Sequence, residues 1–194
     1  MSKIKMAALL FAAIPAFAQD STEFRHEVTG QASGSFVKGT TQSGVQQDAT
    51  DSGGFLTNYR LGLTNRHAVE FTYGYSRNTQ SSSTAQSAVG LSVNAHEATA
   101  AYVFRHPFKR VVPFALAGVG ALTFDVHDSP TRQTQARPAF VYGAGADFNL
   151  SSRFFFRAQY RGQVYESPTF DQGSFGPERV THRAQPSAGF GFRF

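Results

Sequence analysis

Five residues of this chain combine full charge with positions that a fold could hold away from water: Arg60, Glu70, Glu97, Arg157 and Arg161. Each belongs to a stretch in which apolar and polar residues alternate. Arg157, Gln159 and Arg161 interleave with Phe156, Ala158 and Tyr160, Glu70 and Thr72 with Val69, Phe71 and Tyr73, and Asn58 and Arg60 with Tyr59 and Leu61. Carboxylates and guanidinium groups sharing the polar face of such a pattern can do one kind of chemistry well, which is charge-assisted hydrogen bonding to each other. If that face is enclosed, Arg183 needs a partner too, and Glu27 has the parity to help supply one. The expectation is a buried ion-pair network of Arg60, Glu70, Glu97, Arg157 and Arg161 across an interior.

Other chemistry is thinly supported. His127, Asp128 and Ser129 bring the residue types of a hydrolytic triad together. A triad needs three groups that converge in space, though, and these types are ordinary turn formers. The six histidines show no H-E-x-x-H spacing, and His96 and Glu97 are neighbours whose side chains leave a strand on opposite faces. The chain has no Cys, which removes disulfides, thiolate catalysis and Cys-ligated zinc. Gly118, Gly120, Gly143 and Gly145 lie in alternating segments with no helix start, so they suit close strand approach and not a phosphate cradle. No catalytic residue, cofactor or metal ligand is assigned.

The elements that must position the charges are strands. No stretch after residue 24 has a helical period, and alternation with turn chemistry between segments recurs at 24–37, 53–63, 68–78, 90–104, 111–126, 138–149, 154–166 and 180–194. These are eight strands, an even number. Their connections alternate in length: 38–52, 79–89, 127–137 and 167–179 are long and polar, while 64–67, 106–110 and 150–153 are short. In an antiparallel up-and-down meander, alternate connections share one end, so one rim carries four loops and the other tight turns. Transmembrane β-barrels of the outer membrane have that asymmetry, with the long loops outside the cell.

The N-terminus reads as an export signal. Lys3 and Lys5 precede an apolar run from Met6 to Ala18 that closes on Ala16-Phe17-Ala18. The run is shorter than the ~20 residues that a membrane-spanning helix needs. We therefore expect a cleaved signal peptide at 1–18 and a single barrel domain at 19–194. Its removal lowers the formal net charge from +5 to +3, and the remainder has no Lys/Arg-rich run, so nucleic acid is not an expected partner.

Alternation alone does not say which face meets lipid. Aromatic residues near strand ends with small residues between, as in Phe140-x-Tyr142-x-Ala144-x-Ala146-x-Phe148, favour hydrocarbon outside. The segment 111–126 is apolar or glycine at both parities, and its facing stays open. A soluble lipid-binding barrel is the alternative that reverses the faces.

The chain ends in SAGFGFRF. Ser187, Gly189, Phe192 and Phe194 stand where the C-terminal assembly signal of outer-membrane barrels has its polar, glycine and aromatic residues. With the Gly-rich PFALAGVGA, residues 24–194 resemble the small eight-stranded barrels of the outer membrane protein A and X type. The resemblance implies an all-β, eight-stranded antiparallel transmembrane barrel in the cell outer membrane. It also implies insertion by the barrel-assembly machinery, contact with outer-membrane lipid and lipopolysaccharide, and a structural or surface-interaction role whose ligand stays unknown. A lipid A-modifying barrel enzyme and a narrow pore remain open beside it, although the local motif of the lipid A deacylase barrels has no match here.

Overall fold

The computed structural model describes residues 25–37, 40–42, 45–49, 52–84, 87–126, 134–166 and 180–194. They form β1 (His26–Val37), β2 (Thr40–Gln42), β3 (Val45–Ala49), β4 (Ser52–Gly62), β5 (His67–Thr84), β6 (Ser87–Arg105), β7 (Val111–Val126), β8 (Thr134–Asn149), β9 (Phe154–Glu166) and β10 (Val180–Arg193). β1 and β4 to β10 pair antiparallel in chain order, and β10 returns to β1, so eight strands close a barrel. β2 and β3 make a small hairpin, with β3 laid along the far end of β5 from Gln46 opposite Ser83 to Ala49 opposite Gln80.

The register fixes the dimensions. Partners followed around the wall run Glu27, Arg60, Glu70, Ala101, Gly118, Val141, Gln163, Arg183 and back to β1 at Val37, ten residues beyond the start. A stagger of ten over eight strands tilts them by about 40° and leaves an interior that side chains fill.

Alternation sorts the faces as the apolar pattern requires. Polar residues such as Thr29, Asn58, Glu70 and Gln163 are buried inside, whereas Phe71, Val119, Phe140 and Phe190 stand exposed on the outer wall. Small outward residues, among them Ala98, Ala117, Ala144 and Ala188, occupy the middle of that wall. Tyrosines towards both ends share hydrogen bonds with histidines. Tyr59 meets His26 at 2.7 Å and Tyr102 meets His67 at the turn end, while Tyr73 meets His96 at 2.9 Å and Tyr142 meets His182 at 2.7 Å at the other. A phenol at the edge of hydrocarbon needs a partner, and a ring nearer water supplies it.

β7, whose facing the pattern left open, sends Val112, Phe114, Leu116, Leu122 and Phe124 inward and Val119 outward. The interior beside it is itself apolar, with Ala101, Val103 and Val141 joining Phe114 and Leu116 in one cluster. The expected bounds 111–126 and 154–166 match β7 and β9, and β10 begins at Val180 as expected, but the other three long connections hold strand that was not expected. The β5–β6 ladder continues to Thr84 opposite Ser87, so most of 79–89 is strand, and 38–52 contains β2 and β3. β8 begins at Thr134 and not at 138. Those extensions are polar on both faces, so alternation carries no signal there, yet ladder hydrogen bonds need no apolar face. The His127-Asp128-Ser129 run and the expected signal peptide lie outside the described residues.

The seam tolerates little bulk. A Cβ on Gly189 would overlap the Gly30 carbonyl oxygen across β1 and β10, whereas one on Gly53 meets nothing within 4 Å. Gly189→Ala is expected to destabilise the folded barrel by about 1–3 kcal/mol, and Gly53→Ala to stay within about 0.5 kcal/mol of the parent, read from urea midpoints of lipid-refolded protein.

Candidate functional site

The interior holds its charges in two layers, each built by strand register. In the layer nearer the short turns, Asp147 on β8 stands directly opposite Arg157 on β9. Arg157 donates to both carboxylate oxygens, Nε to Oδ1 at 2.6 Å and Nη2 to Oδ2 at 2.8 Å. Its Nη1 reaches Glu70 at 3.0 Å and its Nη2 also reaches Glu27 at 3.2 Å, so one guanidinium joins β1, β5, β8 and β9. Arg157 and Asp147 are fully buried.

Arg60 sits between Glu27 and Glu70 in the register. Its Nε donates to Glu70 Oε2 at 2.8 Å; Nη2 lies 2.6 Å from the same oxygen but out of line for a hydrogen bond. Its Nη1 reaches Asp147 at 3.3 Å. Glu27 also accepts from Arg105 and from Arg193, both at 3.0 Å. Three carboxylates therefore face four guanidinium groups. Two aromatic rings complete the layer: Phe114 lies 4.4 Å from Arg60 Cζ and 5.1 Å from Arg157 Cζ, and Phe155 lies 4.3 Å from Arg193 Cζ. Stacking of this kind covers the guanidinium planes, which hydrogen bonds leave bare.

The second layer centres on Glu97. It accepts from Arg161 at 2.6 Å, Gln163 at 2.6 Å and Gln185 at 3.0 Å. Arg183 Nη1 is 4.0 Å away, and Arg183 also donates to Ser35 at 2.5 Å and Ser76 at 2.8 Å. Between the layers, Asn58 accepts from Gln31 at 2.7 Å and donates to Thr72 at 2.8 Å and Glu70 at 3.1 Å.

The five residues singled out in the sequence thus divide. Arg60, Glu70 and Arg157 meet in one layer, and Arg161 and Glu97 in the other, so they do not form a single five-membered cluster. Sequence reasoning missed Asp147, the tightest partner of Arg157; its parity beside Gly143 and Gly145 was the available signal. It also gave Phe114 no role, because an aromatic inside a charged interior breaks the apolar-out rule.

The C-terminal residues serve the seam. Ser187 donates to Gln31 at 3.0 Å inside the barrel. Phe192 and Phe194 lie outside, where Phe192 packs 5.1 Å from Phe154 and Phe194 stacks 5.5 Å from His26. The Phe194 backbone exchanges hydrogen bonds with His26 at 2.9 and 3.2 Å, so the last residue pairs beside the start of β1. Histidine side chains meet tyrosines on the outer wall, and His96 also lies 4.0 Å from Asp125. Among the described residues no group of three His, Asp or Glu is placed to hold a metal ion.

The family model for the outer membrane protein beta-barrel domain matches residues 5–194. Several solved structures share the fold. Neisserial surface protein A superposes with a TM-score of 0.66 at 12% identity, over 87% of this chain and 97% of that one. OprG from Pseudomonas aeruginosa gives 0.62 at 14%, over 89% and 96%. Ail, the attachment invasion locus protein of Yersinia pestis, in complex with the heparin analogue sucrose octasulfate, gives 0.58 at 21%, over 89% and 99%. Comparison with curated protein sequences yields no match.

The two-layer arrangement predicts additivity. Asp147→Asn leaves Arg157 and Arg60 short of an acceptor and is expected to cost about 3 kcal/mol. Glu97→Gln shares no partner with Asp147, so the double variant is expected to equal the sum of the singles within about 0.5 kcal/mol. Chemical denaturation of the four proteins in one lipid system checks this; a coupling above 1 kcal/mol would mean one continuous network.

Proposed function

From the premise that the chain belongs to the outer membrane protein beta-barrel domain family, we propose that it acts without catalysis, as a rigid barrel that presents its four long connections to the cell exterior. Its place in the outer membrane follows from that family. Residues 1–18 serve as the cleaved export signal, and the barrel-assembly machinery takes up the terminal strand with Ser187, Gly189, Phe192 and Phe194. Outer-membrane lipid and lipopolysaccharide surround the belt of Phe and Tyr, and the outer rim is the surface open to a ligand.

The observation that carries this reading is the layer around Arg157. Arg60, Arg157, Phe114 and Phe155 span an interior whose dimensions leave space for side chains only. Opening a water path there would mean separating guanidinium groups from carboxylates that are buried with them, at a cost of several kcal/mol. A plugged barrel does its work on its rims, where loops on a stiff scaffold carry binding.

Purified, refolded protein in planar lipid bilayers is expected to give no large, stable conductance steps, and to migrate differently on gels before and after heating. Large stable open channels would overturn the plugged scaffold in favour of a pore. A chain that stays in solution without lipid or detergent would overturn the membrane reading for a soluble barrel.

A further inference from the structure

The second charged layer does not balance. Among its described residues one carboxylate, Glu97, faces two buried guanidinium groups, Arg161 and Arg183. Arg161 takes Glu97 at 2.6 Å, whereas Arg183 comes no nearer to it than 4.0 Å and donates instead to the hydroxyls of Ser35 and Ser76. Hydroxyls accept hydrogen bonds but cancel no charge. The layer nearer the turns has no negative charge to lend, since its three carboxylates already face Arg60, Arg105, Arg157 and Arg193. An arginine does not shed its proton, and an uncompensated buried cation is heavily penalised.

Orphaned donors lie beside that excess. Gln159 sits on the lumen face of β9 between Arg157 and Arg161, only 6% exposed, and neither atom of its amide has a hydrogen-bond partner. Arg161 Nε is buried and unpaired as well. Two residues apart on one strand face, the two side chains are rooted about 7 Å from each other, a gap that one small ion bridges.

The cross-strand neighbours are small on the side of β8. Gln159 stands between Gly145 and Ser187, and Arg161 between Gly143 and Gln185. The atoms nearest to a Cβ on Gly143 all belong to β9, whereas at Gly145 the Phe114 ring closes in at 2.7 Å. Around Arg157 the rings of Phe114 and Phe155 take up the width; beside Arg161 a glycine gives it back. An eight-stranded barrel has room for side chains and at most one small ligand.

We propose that Gln159 Nε2 and Arg161 Nε bind one small monovalent anion, a halide such as chloride, inside the lumen between the two layers. Charge decides the occupant. Water would satisfy the orphaned donors and leave the extra guanidinium unbalanced, whereas one halide answers both. The site depends on closure of the barrel and not on the medium around it, so it goes beyond the surface role proposed above.

The test refolds the full chain into phosphatidylcholine bilayers at constant ionic strength, with chloride replacing gluconate in steps. The wild-type unfolding constant in urea is expected to fall by about tenfold for each tenfold rise in chloride above its dissociation constant, with bromide as effective. Gln159→Glu supplies the negative charge itself and is expected to hold that dependence below about twofold, unfolding in gluconate at or above the wild-type midpoint in chloride. Should it lose the heat-dependent gel shift that reports folding, Gln159→Met, which keeps the length without a donor, is expected to cut the dependence to about threefold or less. Crystals grown in bromide are expected to show its anomalous scattering between Gln159 and Arg161.

A wild-type unfolding constant indifferent to chloride would overturn the proposal and assign the amide to water. So would full chloride dependence in a folded Gln159 variant, or bromide found on exposed arginines alone, which is an adventitious ion only.

Discussion

Hydrocarbon offers no partner to a peptide N–H or C=O, so a sheet within it has to satisfy its own edges. In this protein that constraint comes to rest on the seam between β1 and β10, where Glu27 faces Arg193 and Ser33 faces Ser187. Closing the seam sets the stagger, the stagger sets the tilt and width, and the width brings side chains from opposite walls within hydrogen-bonding reach. The terminal Phe194, paired to His26, is part of this closure and not merely a label at the end of the chain.

Once the interior is that narrow, its chemistry is constrained. Arg157 makes five hydrogen bonds' worth of demand at a fully buried site, and three carboxylates on three other strands meet it. Such clusters add little net stability, since desolvation offsets most of the attraction, but they punish wrong partners severely. The polar residues inside are matched by an apolar patch centred on β7, where Leu116 and Phe114 pack with Val103 of β6 and Val141 of β8. Phe114 stands at the border, joining the apolar patch while its ring covers two guanidinium groups. The inside is therefore a packed, two-sided core and not a uniformly wet channel.

The outer wall follows a simpler rule. Aromatic rings and small residues face outward, and tyrosine hydroxyls near each end are satisfied by histidine. These features give the barrel a defined depth, because each group is costly to move by one turn of side chains into the wrong medium. Depth in turn decides which rim can meet solutes outside and which is confined to the inner side.

Much of this was legible in the alternation itself. Period-two patterning with long and short connections in turn established eight antiparallel strands, the apolar outer faces of β4, β5, β8 and β9, and the parity of Arg60, Glu70, Glu97, Arg157 and Arg161, since each of these depends only on neighbours along the chain. Where both faces had the same character the pattern was silent: in β7, apolar twice over, and in the polar upper reaches of β5 and β6, whose ladder runs on to Thr84 and Ser87. Hairpin register sets Asp147 against Arg157 and Arg60 against Glu70, and closure decides which of these pairs meet across the interior. Asp147 and Arg157 are ten residues apart, Glu27 and Arg157 a hundred and thirty, and a ten-residue stagger places all three in one layer while lifting Arg161 and Glu97 into another. Parity is a local property of a strand; height in the barrel is a property of the closed ring, and only the ring sets it.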